Sequence, residues 1–313
     1  MTACPSMFCN NLTLRHLDQT LHGAEGITLT QLADYQHITH HALWIMEFQN
    51  SLVSLQNMIG IFDSGIGGLS VFREIRKVLP EQSYIYYSDN AHCPYGEKSR
   101  EYIIDRARKI TDFLIGKGCE IIVVACNTAT AAAIATLRAE YPVKFIGMEP
   151  AVKPAAKATQ TGVVGVLATA GTLKATKYID TRAQWAKDVR IVEHIGQGFV
   201  ELVENGITSG PEAEKTVSAS LKPLLEEGAD MIVLGCTHYP FLADTIRKVA
   251  SESFPDRKIS VIDPAPAVAR HLLEVMKEQG LSLTCQSGFG VELLASGDPY
   301  TLQMMYEEIQ GDF

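Results

Sequence analysis

At 313 residues the chain has room for one large domain or two ordinary ones, and its 46% apolar and 20% charged residues are a globular composition. The net charge of −9 argues against a broad basic surface for nucleic acid, and no apolar run has the length to span a bilayer. The start, MTACPSMFCNNLTLRHLDQ, lacks the charged region and apolar stretch of a secretory signal.

The cysteines, at 4, 9, 93, 119, 126, 236 and 285, are odd in number and have no paired metal-type spacing. Cys4 and Cys9 have four residues between them and no second pair, so they do not make a zinc motif. Free thiols in a reducing cytosol fit this usage better than a disulfide framework.

Residues 1–57 differ in character from the rest of the chain. They hold five of the nine His (16, 22, 37, 40 and 41), few charges and no strand–Gly–helix punctuation, with one stretch, about 28–55, open to helix. They are expected to be an extension outside the core, dispensable for folding and catalysis, with Met58 the first residue of the folded unit. From there strands and helices alternate. IGIF (59–62) reads as a strand, and DSGIGGLSVFREIRKVLP (63–80) as a Gly-rich turn running into a helix that Pro80 stops. SYIYYSD (83–89) is a strand, followed by a loop and a helix to about 116. A strand ending at Cys126, a helix at about 129–140 and a strand at 143–148 come next. GVVGVLAT (162–169) then echoes the opening strand and turn. A helix from about 173, the strand RIVEHI (190–195), a short helix, a helix at 211–227 and the strand ending at Cys236 come after it. Residues 239–250 read as helix, 259–264 as strand and 265–279 as helix. The tail from 282 is a strand pair or a strand and helix. This alternation predicts parallel sheets covered by helices on both faces. The restart near 150 divides the chain into 58–150 plus 260–313, and 151–259.

One stretch occurs twice. KGCEIIVVACNT (117–128) aligns without a gap on EGADMIVLGCTH (227–238), with Gly118 on Gly228, Ile122 on Ile232, Val123 on Val233 and Cys126 on Cys236. Each copy is a β-branched run suited to a strand buried on both faces, ending in a small residue, a Cys and two polar residues. In open parallel α/β sheets ligands bind beyond the carboxyl ends of the strands. A lone buried Cys is usually packing. Two at equivalent strand ends, followed by Asn127–Thr128 and Thr237–His238, point to chemistry and to two similar domains facing each other.

The remaining candidates are weaker one by one. FDSGIGG lacks the lysine of a phosphate loop and the spacing of a dinucleotide motif. It does bring Asp63 and Ser64 to a helix N-terminus, where an anion binds or Asp63 caps. Tyr95–Gly96 lie in a turn that could offer backbone donors. His238, two residues from Cys236, is close enough to tune a thiol. Glu204 is one acid among 36 Asp and Glu and has no local signal. There is no Lys in a pyridoxal phosphate setting.

In this order and spacing, IFDSGIGGLSV, PYG, ACNTAT, GVLATAGT and VLGCTHYP resemble the glutamate racemases of the cofactor-independent aspartate/glutamate racemase family. The resemblance covers 58–313 and none of 1–57. It implies two doubly wound α/β domains related by pseudo-twofold symmetry, with the active site in the cleft between them. It also implies a cytoplasmic enzyme that interconverts L- and D-glutamate for peptidoglycan synthesis, with no cofactor and no metal. Cys126 and Cys236 would be the catalytic pair, Cys126 acting on D-glutamate and Cys236 on L-glutamate, assisted by Asp63, Glu204 and His238. Substrate contacts would come from Asp63, Ser64, Tyr95, Gly96, Asn127, Thr128, Thr237 and His238. The same resemblance admits a peptidoglycan-precursor activator as a partner, a monomer or a homodimer, and in some relatives an association with DNA gyrase. It gives no nucleic-acid or membrane partner. The alternatives are an aspartate racemase of the same superfamily and a non-catalytic regulator on the same fold.

The chemistry agrees with the pattern. Racemisation removes an α-proton from one face of the substrate and returns one to the other. Two thiols on opposed half-sites serve as base and acid and swap roles for the other enantiomer.

Overall fold

The computed structural model describes residues 58–284 and 290–311, which belong to one compact unit. The extension expected over 1–57 lies outside the described residues.

The first sheet holds β1 (Met58–Asp63), β2 (Ser83–Ser88), β3 (Cys119–Val124), β4 (Lys144–Ile146) and β9 (Val291–Ala295) in the order β4-β3-β1-β2-β9. The second holds β5 (Val163–Ala168), β6 (Arg190–Ile195), β7 (Met231–Gly235) and β8 (Ser260–Ile262) in the order β6-β5-β7-β8. Every pairing is parallel. The helices are α1 (Leu69–Val78), α2 (Arg100–Gly116), α3 (Asn127–Glu140), α4 (Val152–Ala158), α5 (Ala170–Leu173) and α6 (Thr176–Trp185). After them come α7 (Phe199–Glu204), α8 (Pro211–Glu226), α9 (Ala243–Ser253), α10 (Ala265–Glu278) and α11 (Tyr300–Gln310).

Written from the opposite edge, the second sheet reads β8-β7-β5-β6 and matches β4-β3-β1-β2 strand for strand. The repeat read in the sequence is therefore a repeat of topology, with β9 added to the first sheet alone. It extends to single residues. Gly118 and Gly228 each follow the C-cap of a long helix, have φ of 91° and 97°, and return their N–H to Ile115 and Leu225. Only Gly adopts that left-handed turn without strain, and it feeds β3 and β7 alike. Both strands are buried along almost their whole length, as parallel strands covered on two faces should be.

Several boundaries differ from expectation. The helix expected from 129 begins at Asn127, because Cys126 itself is the N-cap. The helix expected from 173 is two, since Thr169 caps α5 directly after β5 by accepting the Thr172 N–H. Residues 239–250 open with a tight turn, Tyr239–Leu242, with Pro240 in it, before α9. The return to the first sheet, expected at 260, comes later. Ser260–Ile262 still pairs with β7, and it is α10 and α11, both packed on α1, and β9, paired with β2, that rejoin the first layer. The tail is a strand followed by a helix rather than a strand pair. Among the described residues no helix is long and apolar enough to cross a membrane.

Candidate active site

The carboxyl ends of β1, β3, β5 and β7 meet where the two sheets face each other, and polar contacts cross between them. Ser70 Oγ donates to the Thr237 carbonyl at 2.9 Å. The Ile66 N–H donates to Glu204 Oε1 at 2.8 Å, and Thr237 Oγ1 to Asp63 Oδ2 at 3.4 Å. The hydroxyls of Thr128, Thr169 and Thr172 join in a triangle, with Thr128 2.9 Å from Thr169 and 3.4 Å from Thr172.

On the first side, Cys126 lies two residues past β3 and caps α3, its sulfur accepting the Ala129 N–H at 3.4 Å. Its thiol lies 3.6 Å from Ser64 Oγ. Burial, followed by the neighbouring Asp63 charge, pushes the thiol well above its ordinary range despite these contacts. Asp63 is fully buried, with Oδ2 accepting the Gly68 N–H at 2.8 Å and Oδ1 without a partner inside the protein. Burial raises its carboxyl group too, against the pull of His238 and the Gly68 N–H. Because the sulfur does the capping, the Asn127 side chain is released from it. Neither the oxygen nor the nitrogen of that buried amide has a partner within the protein. Buried amides are almost always paired, which sets this one apart.

On the second side, Cys236 ends β7, and its sulfur lies 3.7 Å from His238 Nδ1. His238 Nε2 meets Glu204 Oε1 at 2.6 Å. Burial alone would depress the imidazole. Its contacts with Cys236, Cys93 and Glu204 outweigh that and hold it well above the usual histidine value. Burial would likewise raise Glu204, but the contact with His238, helped by the Ile66 N–H, keeps the carboxyl below its ordinary range. The Gly-rich turn after β1 makes room for this pair. A Cβ on Gly65 would sit 1.9 Å from Glu204 Oε1, and one on Gly67 would sit 2.4 Å from His238 Nδ1. FDSGIGG is thus a surface for close approach by side chains from the other sheet.

The fold brings together Asp63, Ser64, Cys126, Asn127, Thr128, Glu204, Cys236, Thr237 and His238. Tyr95 is placed otherwise. Its hydroxyl donates to Asp89, which Arg106 grips through two hydrogen bonds of 2.9 and 2.6 Å, so the phenol is committed to the frame. Gly96 packs beside Thr169, where a Cβ would lie 3.1 Å from the threonine Cβ. Sequence reasoning missed the two threonines after β5 and Cys93, whose thiol faces Glu204 Oε1 at 3.7 Å. The threonines lay inside the motif GVLATAGT and could have been found there by matching the second turn to the first. Cys93 had no such signal. The expectation of no metal-ligating cluster rested on linear spacing; the fold assembles Cys93, Glu204 and His238 from three separate segments.

A profile of the Asp/Glu/Hydantoin racemase family matches residues 60–272. A glutamate racemase of Ectopseudomonas mendocina is 45% identical over 258 residues, 82% of this chain and 96% of that one. Among solved structures, Francisella tularensis glutamate racemase in complex with D-glutamate is similar with a TM-score of 0.69 at 27% identity, over 82% of this chain and 94% of that one. Escherichia coli glutamate racemase in complex with L-glutamate and the activator UDP-MurNAc-ala also gives 0.69, at 30% identity, over 81% and 95%.

Proposed function

The chain belongs to the Asp/Glu/Hydantoin racemase family and, within it, to the glutamate racemases, and from that premise we propose that Cys126 and Cys236 are the two bases of its reaction. It is an amino-acid racemase, an isomerase that interconverts L- and D-glutamate. The relatives it matches at 42–49% identity are glutamate racemases by name, which favours glutamate over aspartate as the substrate and catalysis over a purely regulatory role.

One observation carries the mechanistic reading. The two thiols end topologically equivalent strands, one in each sheet, and each has its own proton-handling neighbour, Asp63 for Cys126 and His238 for Cys236. For one enantiomer a thiolate on one side removes the α-proton while the opposite thiol delivers its own to the other face. At the end of a turnover the protonation states have exchanged. Between the two transfers the α-carbon carries negative charge that spreads into the substrate carboxylate. The unpaired Asn127 amide and the Ser64 and Thr128 hydroxyls supply hydrogen-bond donors for it, and the Thr237 hydroxyl joins them when it turns from Asp63. Asp63 is suited to exchange a proton with Cys126, and His238, backed by Glu204, to do so with Cys236. We read the two halves as related by pseudo-twofold symmetry, with the substrate between them. Tyr95 and Gly96 contribute through their backbone, at the rim.

The enzyme would act in the cytosol, where its thiols stay reduced, and supply D-glutamate for peptidoglycan. An activator of the kind present in the Escherichia coli structure is tested by adding UDP-MurNAc-ala to the assay. The central test is exchange in deuterium oxide. L- and D-glutamate should both take up deuterium at the α-carbon without added cofactor, and aspartate should not. Absence of exchange, or activity that appears only with pyridoxal phosphate, overturns the two-thiol scheme.

A further inference from the structure

Cys93 has no part in that scheme, yet it stands beside it. It is half-buried, precedes Pro94 at the entry to the turn Tyr95–Glu97, and directs its thiol at Glu204 Oε1. The same carboxylate oxygen meets His238 Nε2. One ligating atom from each of Cys93, Glu204 and His238 lies within 4.8 Å of the other two. Zinc holds sulfur at about 2.3 Å and nitrogen or carboxylate oxygen at about 2.0–2.2 Å in a tetrahedral array, so its donors stand about 3.3–3.7 Å apart. Cys93 and Glu204 already stand 3.7 Å apart. Glu204 and His238 need only part from their 2.6 Å contact, a side-chain adjustment. Gly65 backs the group with no side chain of its own, and a Cβ there would lie 1.9 Å from Glu204 Oε1 and 3.1 Å from the Cys93 sulfur. A thiolate, an imidazole and a carboxylate with a fourth position open form the donor set of a zinc-class ion, not of magnesium or calcium.

We propose that Cys93, Glu204 and His238 form a binding site for a zinc-class divalent cation, and that the bound ion switches the racemase off. The Cys93 thiol and His238 Nε2, the nitrogen that faces Glu204, each give their proton to solvent, so that a thiolate and a neutral imidazole bind the ion. An imidazole so bound has its Nε2 on the ion instead of on Glu204, and the ring whose Nδ1 faces Cys236 at 3.7 Å is pinned by the ion. The ion also ties a loop of the first sheet to two residues of the second. The inhibition rests on the role proposed above for His238; the binding site does not.

The test uses the full chain, freed of metal by a chelator and then dialysed. Titration with Co²⁺ should produce thiolate-to-cobalt charge-transfer absorbance that saturates at one equivalent, and Zn²⁺ should abolish it and racemisation together. Cys93→Ser and Cys93→Ala should still racemise in chelator, lose that absorbance, and need more than about tenfold higher Zn²⁺ for inhibition, since losing even an outer partner of a metal site costs at least that much. Unchanged absorbance and an unchanged inhibition midpoint in both variants would put the metal on another of the chain's thiols and overturn the site. Cobalt bound through Cys93 with no effect of Zn²⁺ on turnover overturns the switch. A chain that binds cobalt through Cys93 but exchanges no glutamate proton even without metal upholds the site and breaks the two-thiol scheme instead.

Discussion

The two half-sites share a scaffold and differ in electrostatics. Cys126 and Cys236 follow matching strands that matching left-handed glycines introduce. Cys126 then caps a fourteen-residue helix and faces a buried carboxyl group, whereas Cys236 enters a tight turn and faces an imidazole. Duplicating a strand end thus supplies one thiol from each sheet, and the residues after each one give it different neighbours. A buried carboxyl group lies beside one and an imidazole paired with a carboxylate beside the other, so the proposed scheme gives each thiol a different partner for its proton.

The largest effect comes from removing either thiol. Cys126→Ala and Cys236→Ala should each lose at least about 10³-fold in racemisation, within the range general acid–base groups contribute. A glutamate with a leaving group on its β-carbon separates the two, because one deprotonation suffices for elimination. The Cys236→Ala enzyme should eliminate from the D-enantiomer alone and Cys126→Ala from the L-enantiomer alone. A common preference would erase the distinction between the half-sites.

Next come the partners. His238→Asn should slow elimination from the L-enantiomer by about 10²-fold or more and spare the D-enantiomer relatively, and Asp63→Asn should do the reverse. Stability should respond with opposite signs. The folded pKa of His238 is raised, so its contribution is complete below about pH 6.5 and fades as pH climbs through the raised value. That of Glu204 is depressed, so its contribution is complete above about pH 4.3 and fades as pH falls through the depressed value. The thermal midpoint of wild type should therefore exceed that of Glu204→Gln most between about pH 4.3 and 6.5, with the gap shrinking in alkali. Asp63 has a raised folded pKa and favours folding when protonated. Asp63→Asn should accordingly hold or raise the midpoint at neutral pH, by about 2–4 °C for each kcal/mol relieved, while activity falls.

Gly67→Ala should come third. The new Cβ would meet the His238 ring at 2.4–2.7 Å, which costs about 1–3 kcal/mol as overpacking and moves the imidazole away from Cys236. Melting curves and L-side elimination report the two consequences separately. The smallest effect is expected from Thr128→Val, which removes the central hydroxyl of the threonine triangle at a cost of about 1 kcal/mol. A larger loss in KM than in stability would mean that this hydroxyl binds substrate as well.

Much of this was legible in the chain. The β-branched runs, the doubled strand ending in Cys and the strand–turn–helix alternation all arise from local pattern, because a parallel strand buried on both faces must be apolar along its length. The two thiols were legible for the same reason, since the repeat marks equivalent strand ends. Local pattern did not reach Glu204. It lies 34 residues before His238, has no distinguishing neighbour, and becomes a partner only because α7 ends opposite the turn after β7. The capping role of Cys126 also stayed hidden, since Asn127 and Thr128 are the better cap residues by type and only the backbone path assigns the task to sulfur.

The sequence by itself thus determined the strands, their duplication and the positions of the two thiols, because periodicity and burial are properties of neighbouring residues. The tertiary structure decided which charged groups neighbour the thiols, the unpaired Asn127 amide and the company of Cys93 with Glu204 and His238. Hydrogen bonds and pKa shifts depend on distances of a few ångströms and on exclusion of water. Those conditions arise only when segments far apart in the chain, here 93, 204 and 238, are folded against one another.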